Sequence, residues 1–138
     1  MREREVKPVR FGFLLLSNYS MIAVSSAVEV LRMANQLGRQ EFYQWPTYTI
    51  DGKSVLASNG LEIAPGNKLA DAGHLDVLFV CSGMRVQEQW SDEISRQLHR
   101  FKSRQTILGG LCTGTYILAK AGLLDGYRST IHLSLIHI

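Results

Sequence analysis

Two cysteines and four histidines are the side chains of this sequence best suited to bond-making chemistry, and Cys112 alone sits in a frame that would present it. Gly110-Leu111-Cys112-Thr113-Gly114 fits a G-x-nucleophile-x-G pattern, a sharp strand-to-helix turn that lifts one side chain above the edge of a sheet. Such a turn needs neighbours without bulk, and Gly109, Gly110 and Gly114 supply them. A residue there lies beside a helix N-terminus, where the dipole favours negative charge. The residues leave two readings open: a thiol packed between strand and helix, or a thiol lining a pocket. Cys81 forms no Cys-x-x-Cys with it, and His74, His99, His132 and His137 are scattered. We therefore expect no disulfide framework, metal or other cofactor, and two thiols in a reducing compartment.

The elements that must position Cys112 follow from periodicity. Val9 to Leu16 is a short continuous apolar run, the pattern of a central parallel strand buried on both faces. Ser17-Asn18-Tyr19-Ser20 is the turn after it. Ile22, Val24, Ala27, Val28, Leu31 and Ala34 then recur at helical spacing, with Glu29, Arg32 and Gln36 left for the other face. Trp45 to Ile50 predicts a second strand, and Asp51-Gly52 with Asn59-Gly60 a small hairpin before Pro65. Leu75 to Cys81 is another buried strand, followed beyond Ser82-Gly83 by a helix capped by Ser91, with Asp92 and Glu93 at its positive end and Ile94, Leu98 and Phe101 facing inward. Thr106 to Leu111 predicts a strand and Thr115 to Leu124 a helix apolar nearly all round, with Gly122 as its C-terminal cap. A last strand is expected near Ser129 to Leu133. Alternation of strands and helices calls for an α/β fold, a parallel sheet with helices on both faces.

Composition excludes several classes. With 138 residues, 46% hydrophobic and 20% charged, the chain suits one compact domain rather than disorder or a fibre. The net charge of +3 is spread without a run of four basic residues, and no helix-turn-helix pattern is present, so DNA binding by this segment is not expected. Glu3 and Glu5 spoil a signal-peptide start, and no apolar stretch reaches the ~18 residues of a membrane span. The expected location is cytoplasmic.

Gly109-Gly110-Leu111-Cys112-Thr113-Gly114, with Leu118-Ala119, Ala121-Gly122-Leu123-Leu124-Asp125-Gly126 and Thr130-Ile131-His132, resembles the class I glutamine amidotransferase-like fold in its ThiJ/PfpI branch. More narrowly, the chain is similar to the N-terminal domain of AraC-type regulators that carry this fold ahead of a helix-turn-helix pair. Within them, Ser17-Asn18-Tyr19-Ser20-Met21-Ile22-Ala23, the segment Ala27 to Asn35, and Ala57-Ser58-Asn59-Gly60 resemble regulators of carnitine and glycine-betaine catabolism. The resemblance implies a flavodoxin-like parallel sheet flanked by helices. Residues 1–8, charged and ending in Pro8, read as a flexible arm; the resemblance then implies a ligand-sensing domain over 9–132 and a divergent end over 133–138 that departs from the family's continuation, as in a truncated chain.

The resemblance also implies what has been lost. Enzymes of the branch keep an acidic residue after the first strand, where this chain has Ala23, and often a His after the Cys, where it has Thr113. His132 matches a His near the nucleophile in some relatives, or is simply a packed residue at a strand end. A nucleophile needs a base and an orienting third group. The expectation is thus a non-catalytic sensor of a small molecule, with DNA binding in a C-terminal domain beyond this chain. Its ligand would touch Asn18, Tyr19, Ser82, Gly83, Met84, Cys112, Thr113 and His132, at the carboxyl edge where open α/β sheets bind ligands. A quaternary-ammonium effector would be caged by Tyr19 with Trp90 or Tyr116. The rival is a cysteine-dependent hydrolase or amidotransferase-like enzyme with Cys112 as nucleophile and His132 as helper. A homodimer is compatible with either. A purely structural dimerisation module has little support, because the helix stripes read as fully used by the core.

Overall fold

The computed structural model describes residues 7–126. Within them the strands are β1 (Val9–Leu15), β2 (Tyr43–Gln44), β3 (Thr47–Thr49), β4 (Asn67–Lys68), β5 (Val77–Cys81) and β6 (Ile107–Leu111), and the helices are α1 (Met21–Gly38), α2 (Asp92–Ser103) and α3 (Gly114–Lys120). The sheet order is β4-β3-β1-β5-β6, every pairing is parallel, and β2 pairs with the start of β1. Strand direction and register put Leu15, Cys81 and Leu111 side by side at one edge. The loops that follow them must therefore adjoin.

Alternate residues of β1 and β5 enter two cores. Phe13, Leu15 and Cys81 pack with Val24 and Leu31 of α1, whereas Leu14, Leu78 and Val80 pack with Ile94, Leu98 and Phe101 of α2 and Ile117 and Leu118 of α3. The chain moves outward from β1 through β3 to β4, then crosses to β5 and β6 on the other side. Right-handed crossovers then require α1 on one face and α2 and α3 on the other. The expected parallel sheet flanked by helices is what forms.

Local signals place the helix ends. Ser20 caps α1 by accepting from the Ala23 N–H at 3.4 Å, and Ser91 caps α2 by accepting from the Ile94 N–H at 3.2 Å. After α3, Gly122 takes φ +76°, its N–H reaches the Ala119 carbonyl and the Leu123 N–H the Leu118 carbonyl, both at 3.0 Å. This pair of hydrogen bonds is a Schellman cap. It ends α3 at Lys120, four residues short of the expected Leu124. The small hairpin is present as an antiparallel bridge between Leu56 and Glu62, turned at Gly60. The strand expected near Ser129 to Leu133 lies outside the described residues.

Two expectations need correction. α3 is not apolar all round: Ile117 and Leu118 are buried while Ala119 and Lys120 face solvent. Nor does the core use up α1. Ile22 is 78% exposed, and Val30, Met33 and Leu37 are exposed with it, because the sheet covers only the arc carrying Val24, Ala27, Val28 and Leu31. Among the described residues no helix is long and apolar enough to cross a membrane.

Asp76 clamps the amino edge of the sheet, a role the sequence does not signal. Its carboxylate accepts from the Arg10 N–H at 2.8 Å and lies 2.9 Å from His74 Nε2, and its own carbonyl accepts from the Ile107 N–H. The Arg10 N–H first, and His74 second, hold this carboxyl below the usual carboxylate range. A lowered folded-state pKa gives stability that is present above the unfolded value and lost as pH falls through the folded one. Asp76→Ala should therefore lower the urea midpoint at neutral pH, with the gap to the parent chain closing as pH falls below about 4. In the core, Leu98→Ala should cost about 2–5 kcal/mol by urea denaturation, since Leu98 is fully buried between α2 and the sheet. Leu61→Ala, at a side chain 61% exposed, should stay within about 0.5 kcal/mol.

Candidate functional site

The turn from β6 into α3 is an elbow. Cys112 follows the last residue of β6 with φ +57°, in the left-handed region that costs a residue with a Cβ roughly 1–2 kcal/mol. The glycines around it are required by close approach. A Cβ on Gly110 would press on the Thr115 backbone N and lie 2.7 Å from its Oγ1. A Cβ on Gly114 would run into the Val80 carbonyl oxygen. The first turn of α3 therefore sits directly on β5, and Cys112 is left half-buried at the top.

Neighbouring loops are tied to this elbow by one buried side-chain hydroxyl, and to one another by main chain. Thr113 Oγ1 donates to the Gly83 carbonyl at 2.6 Å, in a buried position. Gly83 in turn faces Tyr19 in an antiparallel bridge, and a Cβ on it would strike the Asn18 carbonyl oxygen. The Ser20 N–H donates to the Ser82 carbonyl at 3.3 Å and the Leu16 N–H to that of Cys81 at 3.0 Å. Asn18 is also left-handed, φ +67°, and its N–H reaches the Leu56 carbonyl at 2.8 Å. The ends of β1, β5 and β6 are thus stitched into one surface.

Of the residues expected at the site, Asn18, Ser82, Gly83, Met84, Cys112 and Thr113 lie on these three loops. Ser82 is buried and its Oγ has no partner among the described residues, while Met84 is exposed. Thr113 is buried and its hydroxyl is committed to Gly83, so this side chain fixes the loop. Tyr19 does not line the site. It is fully buried against the α1-side core, and its hydroxyl accepts from the Ile63 N–H at 2.9 Å. Burial pushes its phenol up. The expected aromatic cage therefore lacks its main wall. Of its other members, Trp90 packs on the α2-side core with Lys120 Nζ 5.4 Å from its ring centroid, and Tyr116 packs there too. His132 lies outside the described residues.

The catalytic supports are thin. The first turn of α1, where Ala23 stands, carries no acidic residue. His74 is bound to Asp76, and His99 Nε2 lies 2.9 Å from the Ala121 carbonyl, both toward the opposite edge of the sheet. Among the described residues no three His, Cys, Asp or Glu side chains gather as a metal site.

Two cavities bear on binding. The larger, about 490 Å³, lies toward the amino edge between Thr106, Ile107 and Leu108 and Leu118, Leu123 and Leu124, away from the elbow. A smaller cleft of about 230 Å³ opens at the carboxyl ends of β1 and β3, lined by Ser17, Ile50, Asp51, Val55, Gln89 and Ser91 over a floor of Leu15, Leu16, Thr49 and Ile94. This cleft adjoins the point where the strand order reverses, where open α/β sheets take their ligands. Sequence reading missed it because its walls come from three separate connections. The turn signal at Asp51-Gly52 was the one available clue.

The DJ-1/PfpI family model matches residues 12–137. The chain belongs to the DJ-1/PfpI family. It is 44% identical over 125 residues to the HTH-type transcriptional regulator GbdR of Pseudomonas aeruginosa, covering 91% of this chain and 34% of the regulator. The chain thus spans about a third of the length of that curated relative. An isonitrile hydratase of Pseudomonas putida is 30% identical over 125 residues, 90% of this chain and 52% of the enzyme. Among solved structures, an AraC family transcriptional regulator from Pseudomonas putida superposes with a TM-score of 0.84 at 35% identity, over 94% of this chain and 70% of that one. DJ-1/PfpI relatives therefore include both regulators and an enzyme.

The two thiols should separate cleanly under iodoacetamide. Cys81 is 1% exposed and its burial pushes the thiol up, whereas Cys112 is half-buried at a loop. Mass spectrometry of the native chain should find label at Cys112 first, with Cys81 labelled only after denaturant is added. Equal labelling of both in the native state would contradict this placement.

Proposed function

We propose that this domain senses a small metabolite for an AraC-type transcriptional regulator in the cytoplasm and catalyses no reaction, with DNA contacted by another part of the full regulator. The observation that carries the reading is an elbow kept in backbone form without its chemistry. Cys112 retains the strained left-handed turn and its glycine frame, while the first turn of α1 offers no carboxylate. Similarity to GbdR and to the Pseudomonas putida AraC family structure supports the regulator context. The effector would sit at the carboxyl edge of the sheet, between the elbow loops and the adjoining cleft.

The quaternary-ammonium effector expected from the sequence loses one support and gains another. Tyr19 is in the core, so an aromatic cage around it is withdrawn. Asp51 is an exposed carboxylate in the cleft lining and the one charged group there among the described residues, which suits a cationic headgroup. A homodimer belongs to the same reading.

The rival cysteine enzyme is favoured by the accessible elbow and by the isonitrile hydratase similarity. Turnover separates the two. The chain should show no hydrolase, amidotransferase or isonitrile hydratase activity above background; turnover abolished by Cys112→Ala would establish the enzyme instead. Calorimetry with glycine betaine and carnitine should give saturable heat that Asp51→Asn weakens roughly tenfold or more. Heat indifferent to Asp51→Asn would remove the cleft from the reading. The 138-residue chain should give no sequence-dependent DNA mobility shift at physiological salt.

A further inference from the structure

The cleft at the carboxyl ends of β1 and β3 is walled from both faces of the sheet. In the register of β1 with β3, Phe13 pairs with Thr47 and Leu14 with Tyr48, so the next step sets Thr49 beside Leu15. Side chains alternate between faces along a strand, which puts Thr49 on the face of Leu15 and opposite to that of Tyr48. Leu15 and Val55 pack with the α1-side core, Leu16 and Ile94 with the α2-side core, and all four line the cleft together with Thr49. On the wall of Leu15, Thr49 and Val55 the Thr49 hydroxyl is the one polar side-chain atom. Thr49 is 1% exposed, and its hydroxyl has no hydrogen-bond partner among the described residues. The other buried threonines there are satisfied, Thr106 by the Leu75 carbonyl at 2.8 Å and Thr113 by that of Gly83 at 2.6 Å. A buried hydroxyl ordinarily has such a partner, so Thr49 is the exception to explain.

We propose that the Thr49 hydroxyl is the donor that recognises the ligand's oxygen in this cleft, which thereby selects a small cation carrying an oxygen acceptor a few atoms from its charge. The proposal rests on the effector reading of the cleft and adds the residue that decides which cations are accepted. Asp51 stands two residues beyond Thr49, about 7 Å of extended chain at most. Together with a cleft volume of about 230 Å³, this requires cation and oxygen to belong to one compact molecule. No Lys, Arg or His lines the cleft among the described residues, so no positive charge competes with the hydroxyl for that oxygen. The hydroxyl sits among apolar side chains, where a donor discriminates most: a cation without an acceptor leaves it unpaired, whereas one with an acceptor satisfies it.

Thr49→Val, which keeps the branched shape and removes the hydroxyl, tests the assignment on the 138-residue chain, with Thr49→Ser as the variant that restores it. Without ligand, the urea midpoint of Thr49→Val should equal or exceed the parent's, because no hydrogen bond is lost. A lower midpoint would show that the hydroxyl already has a partner in the folded chain, and overturns the proposal. In calorimetry with glycine betaine, Thr49→Val should weaken binding roughly tenfold, while Thr49→Ser should stay within roughly threefold of the parent. Tetramethylammonium, which has no oxygen, should bind the parent at least roughly tenfold more weakly than glycine betaine does. Equal affinity for the two probes overturns the proposal. Glycine betaine binding that Asp51→Asn weakens and Thr49→Val leaves unchanged overturns the role of Thr49 and leaves the cleft reading standing. No heat from glycine betaine with the parent chain overturns this assignment together with the cationic effector on which it rests.

Discussion

Between the carbonyl of Val80 and the first turn of α3 there is room for a hydrogen and no more, and Gly114 fills it. That close approach fixes much of what the domain presents. It brings the start of α3 down onto β5, so the chain leaving β6 must reverse within Cys112 and Thr113, and Cys112 takes up the left-handed conformation that results. Thr113 converts the approach into a link, because its hydroxyl then reaches the carbonyl of Gly83. Gly83 repeats the device against the carbonyl of Asn18. Two glycine contacts thus carry the position of the elbow across three strands.

Stitching by main chain has a functional corollary. Apart from the Thr113 hydroxyl, the loops at the carboxyl edge owe their geometry to backbone bonds and backbone contacts, so the other side chains displayed on them can change without loss of the frame. A DJ-1/PfpI relative can hold the elbow while the acidic and imidazole partners of an enzyme are absent. In this chain the first turn of α1 carries no acidic residue, and Thr113 follows Cys112. The strain at Cys112 follows from packing, since the glycine contacts enforce it whatever the central residue does.

Binding would use the same edge differently. The cleft beside the elbow has apolar depth from Leu15, Leu16 and Ile94 and a single carboxylate, Asp51, at its mouth. Thr49 lies in its floor with a buried hydroxyl that lacks a partner among the described residues. A ligand entering the cleft would meet walls from three connections at once, which is how a small molecule can bias the arrangement of loops that no single helix controls.

Much of the architecture was legible in the sequence, because its signals are local and periodic. Val9 to Leu16 and Leu75 to Cys81 read as buried strands from apolar continuity, and Ser91 and Gly122 as caps from the φ and hydrogen-bonding habits of single residues. The G-x-C-x-G frame gave the elbow for the same reason: lack of bulk is written in residue type. What sequence could not supply was direction. Tyr19 reads as a loop aromatic beside a site, yet its ring turns inward because the hairpin through Ala57 and Ile63 closes over it, a contact 44 residues away in the chain. Ile22 and Val24 share one apolar pattern, but only the face that the sheet reaches becomes core, and Ile22 is left in water. Asp76 gains its role only when β1 and β6 align on either side of β5. Residue type and spacing determine which elements form, whereas the register of strands distant in sequence decides which faces those elements bury and which groups meet at an edge.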